Sequence, residues 1–115
     1  MAIEVELDIF SGRRNPTWTL TPAQERHFLS TLKHLRAETL TGDQAVVKAP
    51  ILGYRGLDVR GIDDQALRIF GGIIQHGEKG FRDPRRELER WLLSTAPSQI
   101  DGTVLQAAKR DLEPE

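Results

Sequence analysis

The sequence predicts an α+β domain: a small, mainly antiparallel sheet in the order β-β-α-β-β-α, with two helices packed on one face. Three observations carry that expectation. Ile3, Val5, Leu7 and Ile9 alternate with Glu4, Glu6 and Asp8, the period of two that marks a half-buried strand. Phe28, Leu29, Leu32 and Leu35 recur at helical spacing, as do Leu88, Trp91 and Leu92. Between the two helical stretches lie glycine-punctuated extended runs with short polar connections. A length of 115 residues fits one domain, placed at residues 1–97 and followed by a loosely attached tail at 98–115 that can hold a short helix.

Element by element, the first strand ends at Ser11 and Gly12, and Pro16 follows four residues after the glycine. That turn displays Arg13, Arg14 and Asn15. Residues 17–20 alternate again as a short second strand. Thr21-Pro22 is an N-cap followed by a proline that needs no donor, so the first helix spans about 22–38. Glu25 lies one residue too far from Thr21 for a capping box. Pro50 closes the stretch at 41–50, residues 51–59 form a strand, and 66–75 form another that pairs with it as a hairpin. Gly71-Gly72 inside the latter predicts a bulge or a close backbone approach rather than a helix. Residues 77–82 read as a charged loop, and Asp83-Pro84 opens the second helix, closed by Pro97.

Composition narrows the function classes. Sixteen basic and seventeen acidic residues nearly cancel, with a pI near 6.3, which argues against a phosphate-tracking nucleic-acid binder. The absence of cysteine excludes disulfides, thiolate metal sites and cysteine nucleophiles. No signal-peptide pattern and no apolar run of about 20 residues is visible, so the expectation is a cytoplasmic protein without membrane contact.

Chemistry-bearing motifs are few. No hydrolase elbow, phosphate-binding loop, dinucleotide fingerprint or zinc-protease helix occurs, so neither a cofactor nor a metal is expected. His27 and His34 share a helix face but stand two turns apart, too far for one ion. His76, beside Glu78 at a strand end, is the one weak catalytic candidate. The arginines are more suggestive. Arg13, Arg14 and Asn15 on the first turn, with Tyr54 and Arg55 in Gly-Tyr-Arg-Gly, form the candidate ligand-binding set, because a guanidinium fork suits carboxylates and phosphates. The competing expectation is that these arginines pair with neighbouring acids and stabilise turns. Trp18 and Trp91 are assigned to the core.

Phe10-Ser11-Gly12-Arg13 with Asn15-Pro16, then Gly53-Tyr54-Arg55-Gly56, then Leu88-Glu89-Arg90-Trp91-Leu92-Leu93, resemble small uncharacterised single-domain proteins carrying Phe-Ser-Gly-Arg-x-Asn-Pro and Gly-Tyr-Arg-Gly motifs. The resemblance runs through most of the chain to Ala96. It implies that the two loops are shared features, and it brings no activity with it.

The expected function is therefore a non-catalytic binding or accessory protein. It would hold a peptide, an anionic ligand or a partner enzyme through the Arg13, Arg14, Asn15 turn, the Tyr54-Arg55 loop and a sheet edge. A second expectation is a small enzyme for an anionic metabolite, with Arg13 and Arg55 binding the anion and His76 or Tyr54 moving a proton. A third is a structural homodimer.

Overall fold

The computed structural model describes residues 2–10, 12, 14–51 and 53–112. The chain is α+β, but its strand count and order differ from β-β-α-β-β-α. Among the described residues, seven strands form one antiparallel sheet: β1 (Glu4–Asp8), β2 (Thr17–Thr19), β3 (Thr39–Thr41), β4 (Gly56–Arg60), β5 (Leu67–Phe70), β6 (Ile73–His76) and β7 (Lys79–Arg82). Their spatial order is β2-β1-β4-β5-β6-β7-β3, so β1 is an interior strand, while β2 and β3 form the two edges.

Two of the additional strands, β6 and β7, come from glycines that signal turns where the sequence suggests a bulge and a loop, while β3 lies between the expected end of the first helix at 38 and the stretch at 41–50. Gly71 and Gly72 both have positive φ, 64° and 89°, and Phe70 faces Ile73 across them. A two-residue turn with both central residues left-handed matches the twist of the strands it joins, and glycine adopts it without strain. The expected single strand at 66–75 is thus a hairpin of β5 and β6. Gly77-Glu78 makes the next two-residue turn, with His76 facing Lys79, so the expected loop at 77–82 is mostly β7.

Among the described residues, three α-helices cover one face. α1 (Pro22–Leu35) starts at a capping box closed by Gln24 rather than Glu25: Gln24 N donates to Thr21 Oγ1 at 3.2 Å, and Thr21 N donates to Gln24 Oε1 at 2.9 Å. Glu25 instead accepts from Ile3 N at 3.2 Å and ties α1 to the sheet. α2 (Glu87–Ser94) follows a 3-10 turn at Pro84–Arg86, and both oxygens of Asp83 cap it from Leu88 N and Glu89 N at 2.8 and 3.0 Å. The expected loose tail is α3 (Gly102–Leu112), whose Val104, Ala108 and Leu112 are buried. An apolar side every three to four residues, although weak in this short helix, is enough to dock it on the core. No helix among the described residues is long and apolar enough to cross a membrane.

The core is one cluster. Ile3, Val5, Leu7, Leu57, Val59, Leu67, Ile69 and Ile74 from the sheet meet Phe28 and Leu32 of α1 and Leu88, Leu92 and Leu93 of α2. Trp18 joins it with its Nε1 donating to Thr95 Oγ1 at 2.8 Å, whereas Trp91 is only half-buried and meets the ring of exposed His27 at a tilt of 47°. The opposite face divides in two. Over β6, β7 and β3, the segment after β3 folds back: Ala45 packs on Gly80, and Val47 N donates to the Gln75 side chain at 2.8 Å. Over β1, β4 and β5 the face is charged.

Candidate functional site

On that charged face the outward residues of three paired strands meet by register. Glu6 stands opposite Asp58, Glu4 opposite Arg60, and Asp58 opposite Arg68. Side chains two residues apart on a strand share a face, so acids and arginines interleave across strands rather than along one. Asp8 is the hub. Arg55 reaches it through Nε at 3.0 Å and Nη2 at 2.9 Å, and Arg68 Nη2 reaches its second oxygen at 2.8 Å. Arg68 also donates to Asp58 at 2.8 Å, while Arg60 bridges Glu4 and Glu6 at 3.0 and 2.6 Å.

Burial works against ionisation of Asp8, but the two guanidinium groups outweigh it and hold its carboxyl below the usual range. Glu6 is lowered chiefly by its hydrogen bonds from Arg60 and Asn15. Asp58 moves the other way, because burial outweighs its pairing with Arg68.

The first turn and the Gly-Tyr-Arg-Gly loop meet here. Asn15 Oδ1 accepts from Ile9 N at 3.1 Å and Phe10 N at 2.8 Å, while its Nδ2 donates to Glu6 at 3.0 Å. Arg55 closes the other side by donating to Phe10 O at 2.5 Å and Ile51 O at 2.8 Å. Each loop thus holds the other through the end of β1. Gly56 permits the approach. Its φ is 114°, and a Cβ there would lie 2.6 Å from Ile69 O. Arg14 is exposed beside a cleft of about 510 Å³ lined with Glu6, Asn15, Thr17 and Arg60. Arg13 lies outside the described residues.

Tyr54 and Arg55 point to opposite sides of the sheet. Tyr54 turns to the helical side, where its hydroxyl donates to Glu89, a carboxylate with no exposed surface. Arg86 clamps the same carboxylate with Nε and Nη2 at 2.9 and 2.8 Å, and Gly71 N donates to it at 3.1 Å. Burial, then the Glu89 charge, pushes the Tyr54 hydroxyl far above its ordinary range. The Arg86 guanidinium lies 4.8 Å from the centre of the Phe70 ring, and its Nη2 continues to Asp111 of α3 at 3.1 Å. Arg85 and Arg86 hold left-handed φ values of 59° and 56°, which L-residues adopt at a cost of about 1–3 kcal/mol each. The fork onto Glu89 is the interaction that offsets it. A fully satisfied buried cluster of this kind costs about 3–5 kcal/mol when one partner is removed.

His76 lies elsewhere. It faces Leu67 on β5, whereas Arg55 stands level with the far end of that strand. Four residues along the strands and two strand spacings across put them on the order of 16 Å apart. The orienting carboxylate is Asp63 rather than Glu78: His76 Nε2 lies 3.0 Å from its Oδ2. The structure therefore brings Asn15 and Arg55 together and leaves Tyr54 and His76 each in a separate setting.

Sequence reasoning passes over Glu89, Arg86 and Asp63. A signal for the first exists: Glu89 is four residues before Leu93, on the apolar stripe, where a solvated acid is out of place. Among the described residues no group of three histidine or carboxylate side chains is placed to hold a metal ion. No protein-family model, no curated protein and no solved structure matches the chain.

Proposed function

We propose that this protein is a non-catalytic binding module whose contact surface is the sheet end built from the 14–17 turn and the 51–55 loop, flanked by the edge of β2. The observation that carries this reading is Ile51. It is a large aliphatic side chain, 87% exposed, on a loop whose carbonyl at that residue is pinned by Arg55. A hydrophobe in water beside a hydrogen-bonded carbonyl loses less conformational entropy when a partner covers it, so more of its burial goes into affinity. Arg14 and the cleft beside it add a cationic and polar rim. Beyond them, Thr17 and Thr19 alternate with Trp18, which pairs with Val5, so their main-chain groups face away from β1 and suit an added strand. The two motifs that carry the family resemblance coincide with these loops. The arginines serve this surface by fixing it: Arg55 is consumed by Asp8 and Phe10 and positions the loop instead of meeting the ligand.

A photo-crosslinking residue at position 51 tests the proposal in cells of the source organism. The expected result is one recurrent adduct that is lost when Arg14→Glu is added and is absent with the probe at exposed Thr103. The same adducts from positions 51 and 103 would overturn it.

A further inference from the structure

At the other end of the sheet, we infer that the cleft around His76 is a second binding site, for a small molecule carrying an oxyanion together with a hydroxyl. This cleft, about 720 Å³, is walled by the end of α1, the β4–β5 connection and the β6–β7 hairpin. Arg36 from the end of α1 and Lys79 from β7 supply the cations. The Arg36 guanidinium carbon lies 5.7 Å from the centre of the Phe81 ring, a cation–π contact that holds an exposed cation beside the cleft, and a guanidinium suits a carboxylate or phosphate. Lys79 is the cross-strand neighbour of His76, so both stand on the same side of the hairpin.

Asp63 and Glu78 oppose that charge, but Asp63 is already engaged. Its Oδ1 accepts from Gln65 N at 2.8 Å, and its carboxylate takes the His76 ring at 3.0 Å. The Gln65 amide, then His76, hold the Asp63 carboxyl below the ordinary range, so it stays an acceptor. With the ring neutral, Nε2 donates to the Asp63 carboxylate, which only accepts, and Nδ1 is left as the acceptor. An oxyanion alone would repel that lone pair. A ligand with a hydroxyl satisfies it while its oxyanion meets Arg36 and Lys79. Hydrogen phosphate and hydroxy acids share this chemistry. The site is remote from Ile51 and Arg14 and stands or falls independently of the surface proposed above.

Proton and carbon NMR of the His76 ring, assigned with His76→Gln, reads the binding of inorganic phosphate, malate and succinate, with sodium chloride as the ionic-strength control. The expected result is saturable shifts with phosphate and malate, weaker binding of succinate, and a loss of about tenfold or more in the Arg36→Gln/Lys79→Gln double variant. His76→Gln, followed through the Gly77 amide, should erase the preference for malate over succinate. Shifts that grow linearly and match the chloride control would overturn the site. So would equal binding of malate and succinate, or a double variant that binds as the wild type does. Phosphate binding with neither malate nor succinate bound would assign the site to hydrogen phosphate, and malate without phosphate to hydroxy acids; each supports the oxyanion-and-hydroxyl chemistry.

Discussion

At the scale of single residues, the charged face behaves as a set of linked titrations with opposing signs. Asp8 and Glu6 are held below their ordinary range, so the stability they contribute is present above that range and lost as pH falls through their folded values. Asp58 and Asp83 are raised, mainly by burial, so their contribution has the opposite sign: it is full at low pH and lost as pH rises through their folded values. Asp8→Asn isolates the first effect. It removes a charge shared by two guanidinium groups while keeping the side chain's shape, and is expected to lower unfolding free energy by about 2 kcal/mol at pH 7. The gap to wild type should close as pH falls below the carboxylate range, where wild-type Asp8 is itself protonated. Urea titrations from pH 7 down to about pH 2 measure it. A gap that is constant across that range would show that the Asp8 charge is not what holds Arg55 and Arg68.

At the scale of elements, α3 decides how the C-terminal region is understood. The sequence shows only a weak apolar patch there, because Val104, Ala108 and Leu112 give one small or medium apolar residue every four, followed by a charged end. Those three side chains are buried, and Asp111 takes a hydrogen bond from the same Arg86 that clamps Glu89. Deleting residues 102–115 is expected to cost about 4 kcal/mol, from the lost burial of valine and leucine side chains and the newly exposed helical face. A deletion variant with an unchanged urea midpoint would mean that α3 does not contribute to the core. The same contrast explains what was readable. Strict alternation in β1 and the Thr21-Pro22 start of α1 were legible because one local signal determines each. The β5–β6 turn was misread because Gly-Gly inside an apolar run fits a bulge and a hairpin equally well, and only pairing with β7 selects between them. Of the candidate site, the meeting of Asn15 with Arg55 depends on β1 pairing with β4, and no local pattern encodes that register.

At the scale of the whole molecule, charge is balanced by placement as well as by number. The acids of β1 face arginines from β4, from β5 and from the loop before β4, so that half of the sheet is cross-linked by ion pairs on one side and by aliphatic packing on the other. The two clefts of functional interest share no lining residue, one standing beside the 14–17 turn and one beside His76. Ligands in the two clefts would therefore act without sharing a contact.

The strand order also carries a kinetic consequence. β4, β5, β6 and β7 are sequential neighbours, joined by short connections, two of them only a pair of residues long. β1 and β3, by contrast, find their partners far along the chain, Glu4 opposite Arg60 and Thr39 opposite Phe81. Closing a long loop costs entropy before any contact repays it, so the four-strand meander is expected to form the folding nucleus, with the N-terminal hairpin and β3 added later. Ile69→Val and Ile74→Val should then slow refolding, whereas Val5→Ala and Leu40→Ala should mainly speed unfolding in stopped-flow experiments. The reverse pattern would place the nucleus at β1. The ion pairs around Asp8 join the meander to the N-terminal hairpin, so with the meander as nucleus the 14–17 turn and the segment from Gly53 to Arg55 reach their final shape late in folding.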